Sequence, residues 1–420
     1  MKTLILIFFL IFIIGCSNKN VSITKISSDS KQFDTLSYSN FWTAMRCGIP
    51  EMAPKFTNDK KKLVFADALS DIIKGNFASA ESKYYDLINK SPNDTIIYYS
   101  RMILEQTLIY QSKWEKYFEE FKNKDISDSL EKIRLLFPPF IGNNEHLSYE
   151  RNIDTIPFKL KKDLIFVILR INDKEVEFLF DTGTQFTTLS DELADELGLI
   201  PLSINKSAMQ SSTNSYSDIS TSIIKKLNFG NITYQNKPCF ITSSSNFKFK
   251  FLFYTFLSMD GVLGWDMIKN LDITIDYKAR KLYVRKPVLN QNTNRNMFWL
   301  NQPIVKLKSS AGIDLLFNFD SGAQESAFYD FLLVKIKPTD LKDDSESIYG
   351  FGGSVKKDIQ IIPEISFRLG EHQLNFKEIK SSFEIDGHFI KLDGVLGNDI
   401  GLKSGKLHLD AKNGIFEILE

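Results

Sequence analysis

Asp181-Thr182-Gly183 and Asp320-Ser321-Gly322 stand out in this 420-residue chain as a repeated acid-bearing motif. A lone triplet of this kind is an ordinary turn. Two of them, each at the end of an apolar run (Val176 to Phe180, Ile313 to Phe319), could bring two carboxylates together. Carboxylates within hydrogen-bond reach cannot both ionise cheaply, so such a pair shares one proton. It can then hold a water: the ionised acid takes the water's proton as general base while the protonated acid polarises a carbonyl. Other chemistries lack material. Four His and three Cys, scattered along the chain, make neither a zinc cluster nor a Cys/His nucleophile pair, so no metal or cofactor is expected.

The elements that must position the triplets repeat as well. A hairpin, Leu164 to Ile171 turning at Asn172-Asp173-Lys174, leads into the first triplet. Ile304 to Leu307, turning at Ser309-Ser310-Ala311-Gly312, leads into the second. Downstream come Asp260-Gly261-Val262-Leu263-Gly264-Trp265-Asp266 and Asp393-Gly394-Val395-Leu396-Gly397-Asn398-Asp399. Paired-strand signatures close each copy, Ile273–Tyr277 with Tyr283-Val284 and Lys406–Asp410 with Ile415-Phe416. The triplets lie 139 residues apart, from Asp181 to Asp320, and the second motifs 133, from Gly261 to Gly394. Similar order at similar spacing implies two copies of one mainly β unit.

This doubled set resembles the aspartic peptidases, bilobed like the pepsin group, with each half closer to the retropepsin-like family found in bacteria. The resemblance covers about two thirds of the chain and implies two β-barrel lobes related by a pseudo-two-fold axis. It makes Asp181 and Asp320 the catalytic pair. It implies that Thr182 and Ser321 exchange hydrogen bonds across the lobes, that Gly183 and Gly322 allow the tight loops, and that Gly264 and Gly397 end the strands supporting them. Thr184 follows the first Gly and Ala323 the second; a hydroxyl there can lower the pKa of the neighbouring carboxyl and a methyl cannot. The shared proton is therefore expected on Asp320. Tyr349-Gly350-Phe351-Gly352-Gly353 reads as a flap tip or a plain Gly-rich turn. Its counterpart, Gln210 to Tyr216, has no Gly, a departure from the pepsin pattern, in which the first lobe carries the flap. Asp260, Asp266, Asp393 and Asp399 read as turn or helix caps.

The rest of the chain supplies context. An apolar run from Leu4 to Ile14 after Lys2 is too short to span a bilayer and reads as an export signal. Ile13-Ile14-Gly15-Cys16 resembles a bacterial lipoprotein signal, which implies a lipidated Cys16 and an exported, membrane-anchored protein, periplasmic or at the cell surface. The divisions expected are a signal over 1–15, a polar tether over 16–58, a helical module over 59–145, and β lobes over 153–287 and 298–420. Gly75-Asn76-Phe77 with Ala80, Tyr84, Leu87 and Pro92 resembles one tetratricopeptide repeat, either a helical cap on its neighbour or a partner-binding groove. Cys47 and Cys239 are expected as free thiols rather than a disulfide.

Composition narrows the partners. With 43% apolar and 25% charged residues the chain is globular, and with 52 basic against 52 acidic residues it has no excess charge for a nucleic acid. The expected activity is an aspartic endopeptidase acting on peptide or protein substrate. Both lobes lie in one chain, so a monomer suffices. The rival reading is a peptidase-like scaffold that binds a peptide or protein without turnover.

Overall fold

A computed structural model of the chain describes residues 7–8, 21–25, 39–89, 95–121, 136–211, 216–251, 254–290, 294–338, 340–350, 353–382 and 388–419. Cys16, Pro92, Phe351 and Gly352 lie outside the described residues. Of residues 1–20 only Ile7–Phe8 is described, paired in parallel with Gln210–Ser211.

The segment expected as a tether contributes packed structure. Val21–Lys25 (β1) and helix Phe41–Arg46 (α1) lie within it, and a 3₁₀ turn follows at Pro50–Lys55. The polar composition of 16–58 conceals isolated apolar anchors. Phe41, Ala44 and Met45 of α1 are buried, and Asn40 caps the helix by accepting the Thr43 N–H at 3.0 Å. Helices then follow at Lys60–Lys74 (α2), Phe77–Ile88 (α3), Thr95–Tyr110 (α4) and Trp114–Phe121 (α5). Gly75, at φ 79°, adopts the left-handed conformation that ends α2 and lets the chain reverse into α3. Ala80, Tyr84 and Leu87 all face inward, as their spacing predicts. Pro138–Phe140 forms a short 3₁₀ turn, and strands begin soon after.

The first β unit contains Ile153–Lys161 (β2), Leu164–Ile171 (β3), Lys174–Phe180 (β4), Thr188–Ser190 (β5), Ser203–Ser211 (β6), Tyr216–Phe229 (β7) and Ile232–Thr242 (β8). It ends with Gly261–Leu263 (β9), Asp272–Asp276 (β10) and Lys281–Arg285 (β11). The second contains Pro303–Ser309 (β12), Asp314–Phe319 (β13), Ala327–Tyr329 (β14), Lys342–Gly350 (β15), Gly353–Leu369 (β16) and His372–Ser382 (β17). Gly394–Leu396 (β18), Lys406–Asp410 (β19) and Ile415–Ile418 (β20) complete it.

The two units are wired alike around their triplets. β9 runs parallel to β4 and antiparallel to β5, and β5 is parallel to β8. In the second unit β18 is parallel to β13 and antiparallel to β14, and β14 is parallel to β17. β10 pairs antiparallel with β19, Ile273 opposite Leu409, so the order β2-β11-β10-β19-β20 joins both units in one sheet. At the far edge β1 adds antiparallel to β17, Val21 opposite Phe376.

Strand alternation sorts the side chains. Phe178 and Phe180, with Phe317 and Phe319, face the main core under the sheets. Leu179 faces a small separate cluster with Leu164, Phe166 and Val262. A second large core is shared: α1 to α5 pack with Phe186 and Phe240 of the first unit and with Leu316, Phe389 and Val395 of the second. Cys47 and Cys239 are buried and unbridged.

Candidate active site

Strands β4 and β13 each run into a tight loop. At the first residue of each loop the backbone still pairs with the supporting strand, Asp181 N–H to Leu263 O at 3.1 Å and Asp320 N–H to Leu396 O at 2.9 Å. The next residues fasten the loops to each other. Thr182 N–H donates to Ser321 Oγ at 3.0 Å, and Ser321 N–H donates to Thr182 Oγ1 at 2.9 Å. Each hydroxyl passes its own proton onward across the junction, Thr182 Oγ1 to Phe319 O at 2.7 Å and Ser321 Oγ to Phe180 O at 2.8 Å. Four reciprocal bonds between buried groups leave little freedom in the spacing of the two Asp residues.

The glycines are demanded by proximity. A Cβ at Gly183 would fall 2.4 Å from the Asp320 carboxyl carbon, and one at Gly322 would fall 2.6 Å from that of Asp181. Each carboxylate thus lies against the other loop's Gly. The two carboxyls are close enough for each to bias the other's ionisation, and two such neighbours cannot both ionise cheaply, so the pair holds one proton.

Their surroundings differ as Thr184 and Ala323 predict. Asp181 accepts the Gly183 N–H at 2.7 Å, the Thr184 N–H at 3.0 Å and the Thr184 hydroxyl at 2.7 Å. Asp320 accepts the Gly322 N–H at 2.8 Å, and its Oδ2 is buried without a partner. Burial raises both carboxyls above the usual range. For Asp181 the Thr184 hydroxyl and the loop amides oppose that rise, whereas for Asp320 the adjacent Asp181 charge adds to it. These surroundings favour protonation of Asp320 over Asp181.

The supporting strands hold the loops identically. After β9, Gly264 N–H donates to Thr187 Oγ1 at 3.2 Å, and Asp266 accepts the Thr187 N–H at 2.9 Å and its hydroxyl at 2.8 Å. After β18, Gly397 N–H donates to Ser326 Oγ at 3.1 Å, and Asp399 accepts the Ser326 N–H at 3.0 Å and its hydroxyl at 2.7 Å. A Cβ at Gly264 would fall 2.6 Å from the Phe186 carbonyl carbon, and one at Gly397 2.6 Å from that of Glu325. Asp266 and Asp399 therefore tie loops rather than react. Asp393 accepts the Leu316 N–H and pairs with buried Lys335, each at 2.7 Å, while Asp260 contributes its backbone carbonyl to Ser190.

The Gly-rich segment forms a hairpin: β15 and β16 pair from Lys342–Ile361 up to Gly350–Gly353, so Tyr349, Gly350 and Gly353 stand at its described end. The first unit carries a matching hairpin, β6 with β7, up to Gln210–Tyr216. Its missing Gly did not prevent a hairpin, because the strands themselves set the pairing.

Two polar residues close along the chain to the acids carry no signal in a single copy of the motif. Asn318 Oδ1 and Gln185 Nε2 are buried without partners, like Asp320 Oδ2. A signal for Asn318 existed: aligning the two copies sets Phe317-Asn318-Phe319-Asp320 against Phe178-Leu179-Phe180-Asp181.

Residues 167–270 match the family described as gag-polyprotein putative aspartyl protease. The matched stretch lies in the first β unit and includes Asp181-Thr182-Gly183 and Gly264. The chain is also similar to a retropepsin-like aspartic protease from Rickettsia conorii, at 14% identity over 34% of this chain and 94% of that one, with a TM-score of 0.24. No curated protein matches the chain.

Proposed function

We propose that this chain is an exported, lipid-anchored aspartic endopeptidase whose two β units act as pseudo-symmetric lobes around one water. The observation that carries the reading is the pair Asp181 and Asp320, each carboxyl set against the other's glycine within cross-fastened loops. Asp181, held as the anion by Thr184 and the loop amides, takes a proton from the water. Asp320 delivers its proton to the scissile carbonyl oxygen, and the hydroxyl of the former water adds to the carbonyl carbon. The resulting gem-diol collapses as a proton reaches the leaving nitrogen. No covalent intermediate forms.

Substrate reaches the pair beneath the two hairpins, β6–β7 and β15–β16, acting as flaps. The helical module, tetratricopeptide-like in its α2–α3 hairpin, serves as a cover fastened to both lobes. Trp114 against Phe186 of the first lobe (6.5 Å) and Tyr99 against Phe389 of the second (5.0 Å) support that role over a free peptide groove. Anchoring rests on Ile13-Ile14-Gly15-Cys16 alone.

The test is cleavage of a mixed peptide library, inhibited by a statine-type mimic and abolished in Asp181→Asn. Incorporation of labelled fatty acid, lost in Cys16→Ser, tests the anchor separately. Complete burial of both carboxyls favours a second reading, a closed scaffold that binds a peptide without turnover. A folded protein that cleaves nothing from about pH 3 to pH 8 would establish it.

A further inference from the structure

Asn318 is a polar side chain where the fold otherwise places apolar ones. On β13 the odd positions Leu315, Phe317 and Phe319 face the main core, so Leu316, Asn318 and the following Asp320 share the opposite face. Asn318 lies between Ile304 on β12 and Val395 on β18, both in register with it and both in the apolar core shared with the helices. It is 1% exposed, and its Oδ1 has no hydrogen-bond partner. The counterpart in the first unit is Leu179, between Phe166 on β3 and Val262 on β9, in a wholly apolar cluster. The two strands that deliver the catalytic acids are therefore unequal two residues before the acid, with leucine in one and, in the other, an asparagine whose carbonyl oxygen has no donor.

A buried acceptor without a donor is costly, and a site that hydrogen-bonds a substrate group rejects the analogue lacking it. We propose that Asn318 is a specificity-determining residue: its Oδ1 accepts a hydrogen bond from an uncharged N–H or O–H on the substrate side chain lodged against the second lobe. Leu179 and Val262 give the first lobe an apolar counterpart. The preferred bond then joins an apolar residue to one of the Gln, Asn, Ser or Thr type. An uncharged donor suits the site because burying a cation among Ile304, Val395 and Leu316 would cost more than the amide returns. This inference rests on the cleft assigned under the proposed function and adds the side-chain class that the cleft selects.

The experiment uses the full chain and statine-containing peptides in matched pairs, Gln or Leu on either side of the statine, with binding measured by calorimetry. Wild type should bind the better-placed Gln peptide about tenfold more tightly than its Leu partner, and Asn318→Leu should reverse that order. Asn318→Thr, which keeps an acceptor, should restore the Gln preference. An unchanged ranking across the three proteins, or no binding of any pair, overturns the assignment. The corresponding amide-bond peptides separate the two ideas. Selective binding without cleavage retains Asn318's role and removes hydrolysis, whereas cleavage with identical preferences in wild type and Asn318→Leu retains hydrolysis and removes Asn318's role. Thermal melts of each variant report folding, and near-isosteric leucine among Ile304 and Val395 should not lower stability.

Discussion

At the residue scale the site turns on one hydroxyl. Thr184 donates its hydroxyl to Asp181 at 2.7 Å, and Ala323, its counterpart, has no hydroxyl to offer Asp320. Replacing Thr184 with Ala removes a bond to the ionised form of the base, so its pKa rises and the acidic limb of kcat/KM moves to higher pH. A shift of about one unit corresponds to a hydrogen bond to a charged group of about 1.4 kcal/mol; an unmoved limb would show that Thr184 does not tune the pair, which titrates as a unit. Stability should follow pH through the same pair. Both carboxyls are raised in the native state by burial, Asp320 further by the Asp181 charge. The native protein therefore holds protons that the unfolded chain has released. The stabilisation is complete below about pH 4, the ordinary carboxyl value, and is lost as pH rises through the raised native values. Asp320→Asn cannot ionise at that position, so its unfolding free energy should fall less than that of wild type between neutral and alkaline pH. Denaturant titrations at a series of pH values measure the difference, up to about 1.4 kcal/mol per pH unit while one proton is at stake.

At the element scale, the strands delivering the two acids were legible from the sequence almost to the residue. The hairpin expected over Leu164 to Ile171 is β3, and its turn is closed by Asn172 and Asp173 at φ 47° and 68°, residue types that tolerate this conformation. The terminal strand pairs emerge as β10–β11 and β19–β20. Such features are local, written in alternation and turn residues. What sequence could not reveal depends on distant partners: β1 gains strand character only by adding to β17, about 350 residues away, and Lys335 acquires meaning only against Asp393. That ion pair latches helix Asp330–Ile336 behind the strand that leads to Asp320. Both side chains are almost wholly buried, 3% and 0% exposed, and Asp393 also holds the Leu316 N–H. Asp393→Ala would leave a buried ammonium unpaired and should cost about 3–5 kcal/mol. The paired change Lys335→Met with Asp393→Leu should recover most of it. Urea melts of the single and double variants decide the point, and a single variant within 1 kcal/mol of wild type would mean water reaches the pair.

At the scale of the whole molecule, the helices share the second of the two large apolar cores with both β units, so the modules visible in the sequence are expected to unfold together. Composition changes sharply near residue 150, which is why a boundary is drawn there, but apolar contacts ignore it. Phe65 and Tyr99 pack on Phe389 at 5.4 and 5.0 Å, and Trp114 and Phe137 pack on Phe186 at 6.5 and 6.0 Å. Phe186 lies five residues after Asp181, and Ala323, which belongs to the same core, lies three after Asp320. The helices thus reach the flanks of both Asp-bearing loops. A chain beginning near residue 145 would expose Phe186, Phe240, Phe298, Leu316 and Phe389 together, each worth about 1.5–3 kcal/mol of burial. Such a truncation should be insoluble or molten, and the full chain should unfold in one calorimetric transition with van't Hoff and calorimetric enthalpies in agreement. Two resolved transitions, or a soluble truncated chain with native near-ultraviolet dichroism, would instead make the helices a detachable lid. In that case their removal should raise activity, because the fully buried dyad would then be opened to solvent.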